Sequence, residues 1–214
     1  MKIIDTYDDV LNFFRNSNDR FNRKVWTRYA ELISTELPEK CLSDSASYDF
    51  EKDILPVIEV ALNSRDKLEK LHNSFLEAIK ELKERFEKIF GIDVEVDIIL
   101  YLGLCNGAGW ATKLNGNPAI LLGIEKIIEL NWSNNNNMTA LIYHELGHIW
   151  HNAVGTLYHD TKSVSEKSLW QLYQEGLAMY CEQLLVDDFS YYHQDKDGWL
   201  AWCKKKQKKP FHRI

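Results

Sequence analysis

Thr139-Ala140-Leu141-Ile142-Tyr143-His144-Glu145-Leu146-Gly147-His148-Ile149-Trp150-His151 is a long apolar run of helical character that contains H-E-x-x-H. On an α-helix, residues four apart differ by about 400° of rotation and about 6 Å of rise. His144 and His148 therefore leave one face and can present two imidazoles to a single tetrahedral cation. Glu145 is turned about 100° further round, where its carboxylate can reach a water on that cation without coordinating it. Unpaired polar groups in an apolar setting cost several kcal/mol, so a buried helix has no structural need for this set. The stretch predicts an active-site helix against which the rest of an α+β domain packs.

A hydrolytic zinc centre takes three protein ligands and keeps a fourth position open, and two residues compete for the third place. His151 is at i+7 from His144 and nearly on its face, but the two backbones are about 10 Å apart along the axis. Bonds of about 2 Å do not easily gather i, i+4 and i+7 of one straight helix around one ion. His151 is expected beyond the ligands or lining the cleft. The longer spacing H-E-x-x-H-x-x-G-x-x-H is absent, since position 151 is His and position 154 is Val. Glu175 is the better candidate. It lies in Leu172-Tyr173-Gln174-Glu175-Gly176-Leu177-Ala178-Met179-Tyr180-Cys181-Glu182, itself helical by pattern. Trp170, Leu177, Ala178, Cys181, Leu184 and Leu185 form its apolar face, and Gly176 and Ala178 are small where a second helix must come close. Gly155 and the polar stretch His159 to Ser165 supply a turn, giving an antiparallel-like helix pair that carries Glu175 towards the histidines.

His144-Glu145-Leu146-Gly147-His148, followed 27 residues later by Glu175-Gly176-Leu177-Ala178-Met179-Tyr180, resembles the gluzincin group of zinc metallopeptidases. That group carries H-E-x-x-H on one helix and an E-G-x-A-like segment on the next, and the resemblance covers about residues 94 to 186. It implies a zincin-like catalytic domain with Zn²⁺ held by His144, His148 and Glu175, and Glu145 as general base and later proton donor to the leaving amine. It also implies that the strand near Ala119 to Gly123 lies along the cleft and pairs with an extended peptide substrate. That strand is apolar and Gly-flanked, which fits strand addition at an open sheet edge. The first 90 residues match no peptidase module. Amide hydrolysis further needs a Tyr or His donor to the oxyanion. Tyr180, Tyr191, Tyr192 and His193 are available, and Tyr192 or His193 is favoured. Glu182, seven residues after Glu175, is a candidate to orient a ligand imidazole.

Working outward, the chain divides into a helical N-terminal region (1–90), the catalytic domain (91–195) and a basic C-terminal tail (196–214). Between Phe21 and Leu37 the apolar positions Val25, Trp26, Tyr29, Leu32 and Ile33 recur at helical spacing, and Pro38 stands where a helix would stop. Leu68, Leu71, Phe75, Ile79, Leu82, Phe86 and Ile89 predict one long amphipathic helix capped by Gly91, packed on its own domain and not a coiled coil. Ile92, Val94 and Val96 alternate with acids before the apolar run Ile98 to Leu102, which predicts a strand, and Pro118 to Gly123 predicts a second after a glycine-punctuated loop. Gly107 and Gly109 do not complete a G-x-G-x-x-G and lead towards another strand, so no phosphate cradle is expected. The last of Asn134 to Asn137 is expected to cap the active-site helix.

The 26 Lys+Arg against 32 Asp+Glu leave a net charge of -6, which argues against a nucleic-acid partner, although Lys204 to Lys209 form a basic block. Asp5, Asp8 and Asp9 interrupt any N-terminal secretory core, and no run approaches the roughly 20 apolar residues of a membrane span. With Cys41, Cys105, Cys181 and Cys203 scattered and expected reduced, the expected compartment is the cytoplasm. The sequence favours a zinc-dependent peptidase acting on a peptide or protein, against a non-catalytic metal-stabilised scaffold that binds a partner or another zinc amide hydrolase. It does not report oligomeric state.

Overall fold

The amphipathic helices of this chain pool their apolar faces around a small sheet. The computed structural model describes residues 1–15, 21–155, 160–191 and 198–206. The chain is mostly helical, α+β, with a four-stranded sheet made of β1 (Lys2–Asp5), β2 (Asp97–Tyr101), β3 (Gly109–Leu114) and β4 (Asn117–Gly123). The strand order is β1-β2-β4-β3. β1, β2 and β4 run parallel, and β3 is antiparallel to β4, joined to it by a two-residue turn in which Asn115 and Gly116 both have positive φ.

The N-terminal region holds α1 (Tyr7–Val10), α2 (Arg23–Ile33), α3 (Leu37–Asp44), α4 (Leu55–Asn63), α5 (Arg65–Ile79) and α6 (Leu82–Phe90). α7 (Ile124–Glu129) follows β4, and α8 (Asn135–Val154), α9 (Val164–Val186) and α10 (Trp199–Lys206) complete the fold. β2 is buried along Ile98 to Tyr101, as a strand covered on both faces must be. Trp26 and Tyr29 of α2 pack there. The Trp26 indole N–H donates to Leu102 O at 2.8 Å, and the Tyr29 hydroxyl accepts from Leu102 N at 2.9 Å. These polar tips are satisfied inside an apolar layer, so the rings keep their full burial. One buried cluster runs from Tyr7 to Leu185, and β1, from before Gly91, is hydrogen-bonded to β2, from after it.

Several expectations are corrected. The stripe from Leu68 to Ile89 is two helices, broken at Lys80–Glu81, because α5 packs on α7 and α8 while α6 turns away to reach α9. Beyond the break Leu82 and Phe86 stay buried on the stripe, while Ile89 is exposed and Phe90 meets the Trp150 ring, 5.1 Å away. Pro38 begins a helix and does not end one: α2 stops at Ser34, in extended backbone, and Pro38 occupies the first turn of α3, where a missing N–H costs nothing. Ile92 to Val96 is not a strand although Val94 and Val96 are buried. Asn134, not Asn137, caps α8, its side-chain oxygen accepting from Asn137 N at 3.0 Å.

Candidate metal centre

α8 and α9 pack antiparallel-like, and their closest approach decides the site. A Cβ at Gly147 would lie 2.8 Å from Ala178 Cα and 3.0 Å from Cys181 Cβ, so only glycine lets the helices touch here. The close-approach glycine is therefore in the H-E-x-x-H turn itself; Gly176, expected in that role, faces open space. With Ala178 seated on Gly147, Glu175 is carried over the two histidines one turn away.

Glu175 Oε2 lies 3.2 Å from His144 Nε2 and 3.8 Å from His148 Nε2. One ligand atom from each of the three residues falls within 4.8 Å of the others. Donors bonded at about 2 Å to a tetrahedral ion sit about 3.3 Å apart, so this spacing suits a bound cation. Two imidazole nitrogens and one carboxylate oxygen suit a divalent transition metal. Behind them, Glu182 Oε2 is 3.5 Å from His144 Nδ1 and the residue is 1% exposed, which places a carboxylate where it can fix the ring and its tautomer.

The charges are strongly interdependent. Burial would lower the pKa of His144, but hydrogen bonds to Glu175 and Glu182 outweigh it and raise it to about 9. Burial, together with the charge of His144, lowers His148 to about 4. The His144 hydrogen bond holds Glu175 below the usual carboxylate range. Burial raises Glu145 to about 7, partly offset by His144 and by the Ala111 N–H.

Glu145 faces β3. Its Oε2 accepts from Ala111 N at 2.8 Å, and its Oε1 lies 2.4 Å from where a Cβ on Gly109 would be. Glycine at 109 thus leaves room for the carboxylate at the strand's edge. Between β3 and α8 opens a cleft of about 690 Å³, with Trp110, Trp132, Leu141 and Ile149 among its walls and His144, Glu145, His148 and Glu175 on its floor. The cleft strand differs from the one expected. β4 is paired on both sides, by β2 and β3, so its backbone is not free for a peptide; the free edge beside Glu145 belongs to β3.

Other sequence-derived candidates lie apart from the cleft or outside the described residues. Tyr192 and His193 fall outside the described residues. The Tyr180 ring is 6.1 Å from that of Phe189, and the Tyr191 hydroxyl donates to Asn136 O at 3.2 Å; neither lines the cleft. His151 is buried against Tyr173, 5.5 Å between rings, and faces a separate recess with Trp170 and Val154. The i+7 displacement along the axis carries it past the ion position. Sequence reasoning missed Glu125, whose buried carboxylate accepts from Gly103 N at 2.8 Å and Cys105 N at 3.0 Å and so anchors the loop that leads to β3. An acid embedded among Ile124, Ile127 and Ile128 was the available signal. Compared with protein-family models, with curated proteins and with solved structures, the chain has no match. Among the described residues, no helix is long and apolar enough to cross a membrane.

Proposed function

We propose that this chain is a zinc-dependent peptidase with a gluzincin-like, zincin-type site. The observation that carries this reading is the convergence of His144, His148 and Glu175 on one point, with the Glu145 carboxylate beside it at the free edge of β3. A purely structural metal site has no need for Glu145 or for an open cleft.

His144, His148 and Glu175 would hold the ion, and Glu182 would keep the His144 ring in register. An ion held there supplies Lewis acidity, which makes water nucleophilic near neutral pH and polarises a carbonyl. Glu145 supplies proton transfer. Its Oε2 is held by the Ala111 N–H, whereas Oε1 accepts no hydrogen bond among the described residues and is left to take a proton and return it to the leaving amine. Burial raises this carboxylate above its ordinary range, the direction that favours a group which must take up a proton and give it back.

β3 supplies the substrate's track. Its pairing with β4 closes through Leu114 and Asn117 at a two-residue turn, so the alternate residues Gly109, Ala111 and Lys113 turn their backbone groups away from β4; the Ala111 N–H is held by Glu145, and the other groups face the free edge. Pro118, opposite Lys113, has no N–H to give, which agrees with this register. An extended peptide laid there would gain main-chain hydrogen bonds beside Glu145.

The test is elemental mass spectrometry of the purified chain with its His148→Ala and Glu175→Ala variants, followed by a peptide-mixture digest. About one zinc per chain, lost in both variants, and cleavage abolished in Glu145→Gln with zinc kept, is the expected result. Absence of bound metal after reconstitution would favour a scaffold that binds a partner.

A further inference from the structure

The N-terminal helices do more than cover the sheet: α3 forms part of the cleft. It is tied to both ends of β3. Asn115 N, in the turn after β3, donates to Glu36 Oε2 at 2.6 Å. Before β3, the Asn106 side-chain amide donates to Cys41 O and to Asp44 Oδ2, each at 2.9 Å. Lys40 lies between these two anchors and lines the cleft, its ammonium 5.1 Å from the centre of the Trp110 ring. That distance is within cation–π range, so the charge is held over the indole.

A second cation completes the arrangement. Side chains alternate along β3, so Trp110 and Thr112 face one side and Gly109, Ala111 and Lys113 the other. The Cβ direction of Gly109 runs into Glu145, which fixes the second side as that of α8. Lys40 and Lys113 therefore flank the same edge from opposite faces, and both line the cleft. Neither has an ion-pair partner among the described residues, in a chain whose acids outnumber its bases.

We propose that Lys40, assisted by Lys113, selects peptides that carry a carboxylate at a set distance from the scissile bond. This rests on the peptidase reading. An extended peptide on β3 also alternates its side chains between the two faces, so one residue meets the Lys40–Trp110 platform, where the ammonium takes the anion and the indole takes the methylenes. The carboxylate comes either from an Asp or Glu side chain or from the peptide's own C-terminus.

The experiment digests two random peptide mixtures, one with amidated and one with free C-termini, using the zinc-loaded full chain and its Lys40→Gln, Lys40→Glu and Lys113→Gln variants. Cleavage sites are read by mass spectrometry, and thermal melting confirms that each variant is folded. Asp or Glu enriched at one fixed position in the amidated mixture, reduced about tenfold by Lys40→Gln and replaced by Lys or Arg in Lys40→Glu, is the expected result for a side-chain anion. Cleavage confined to a fixed distance from a free C-terminus, and lost in Lys40→Gln, would assign the terminal carboxylate. Peptide cleavage with no acidic preference, or with one that Lys40→Gln leaves intact, overturns the inference and spares the peptidase. If no peptide is cleaved, the peptidase reading falls. Anisotropy of a fluorescein-labelled, amidated oligoalanine peptide with one Glu then decides the anion site alone. Binding about tenfold weaker in Lys40→Gln retains it, and equal binding overturns it.

Discussion

Glu125 and Glu145 are two buried carboxylates, the first holding the loop that leads to β3 and the second holding β3 itself, and both are raised to about 7, chiefly by burial. They differ in how their oxygens are used. Glu125, in the first turn of α7, gives one oxygen to Gly103 N and the other to Cys105 N. Glu145, in the middle of α8, gives one oxygen to Ala111 N, while the other, beside Gly109, accepts no hydrogen bond among the described residues, and the residue lines the cleft. Burial and a shifted pKa alone do not mark a reactive group; an unspent acceptor on a residue that lines a cavity is the further sign.

The largest expected effect is at Glu145. Glu145→Gln keeps an acceptor for Ala111 N and places an amide on the open side, so melting should change little. Peptide cleavage should fall by roughly 10²- to 10⁴-fold, the usual contribution of general acid–base catalysis. Equal activity in the variant would remove the base assignment, and a large loss of stability would make Glu145 a second Glu125. Gly109→Ala probes the same carboxylate from the strand. A new Cβ 2.4 Å from Oε1 must move either the side chain or the edge of β3. A displacement of about 1 Å costs on the order of 10²-fold in rate, so cleavage should drop by about that factor with zinc content unchanged.

How much of this was legible in the sequence follows from which interactions are local. The helical placement of His144, Glu145 and His148 needs only the 3.6-residue turn, and Glu175 needs only one more helix. Strand order is not local. Pro118 to Gly123 is more apolar than Gly109 to Leu114, and that same apolarity marks it as the strand buried between two neighbours, leaving its weaker companion at the edge. β1 is four residues long and mostly exposed, too short to show an alternating pattern. The break at Lys80–Glu81 carries neither Gly nor Pro and is set by which helices α5 and α6 meet. Lys40 could not be assigned because its place in the cleft depends on hydrogen bonds that its neighbours Glu36, Cys41 and Asp44 make with residues 62 to 79 positions further along the chain.

At Glu125 the comparison predicts an effect on stability first. Both oxygens already accept backbone N–H groups, so Glu125→Gln turns its amide nitrogen against a donor whichever way it is flipped. Leaving one buried N–H without an acceptor costs about 1–3 kcal/mol, measurable by urea titration, with zinc affinity unchanged. Since Gly103 and Cys105 precede β3, any loss of cleavage should track the unfolded fraction and vanish at lower temperature. Cleavage that stays low in fully folded Glu125→Gln would show that the anchor also positions the edge strand.

The smallest effect is the pH dependence of that same difference, and its sign is fixed by the direction of the shift. Burial raises Glu125 from its ordinary 4.5 to about 7, so between these values the folded chain holds a proton that the unfolded chain has released. Stability from this group is complete below pH ~4.5 and is lost as pH rises through about 7, by about 3 kcal/mol. Glutamine does not titrate. The advantage of the parent over Glu125→Gln should therefore shrink from pH 5 to pH ~7.5, and Glu145, common to both chains, cancels. An advantage that instead grows with pH would mean that the two N–H donors hold Glu125 ionised and depress its pKa. The contrast with Glu145 would then lie in charge state as well as in hydrogen bonding.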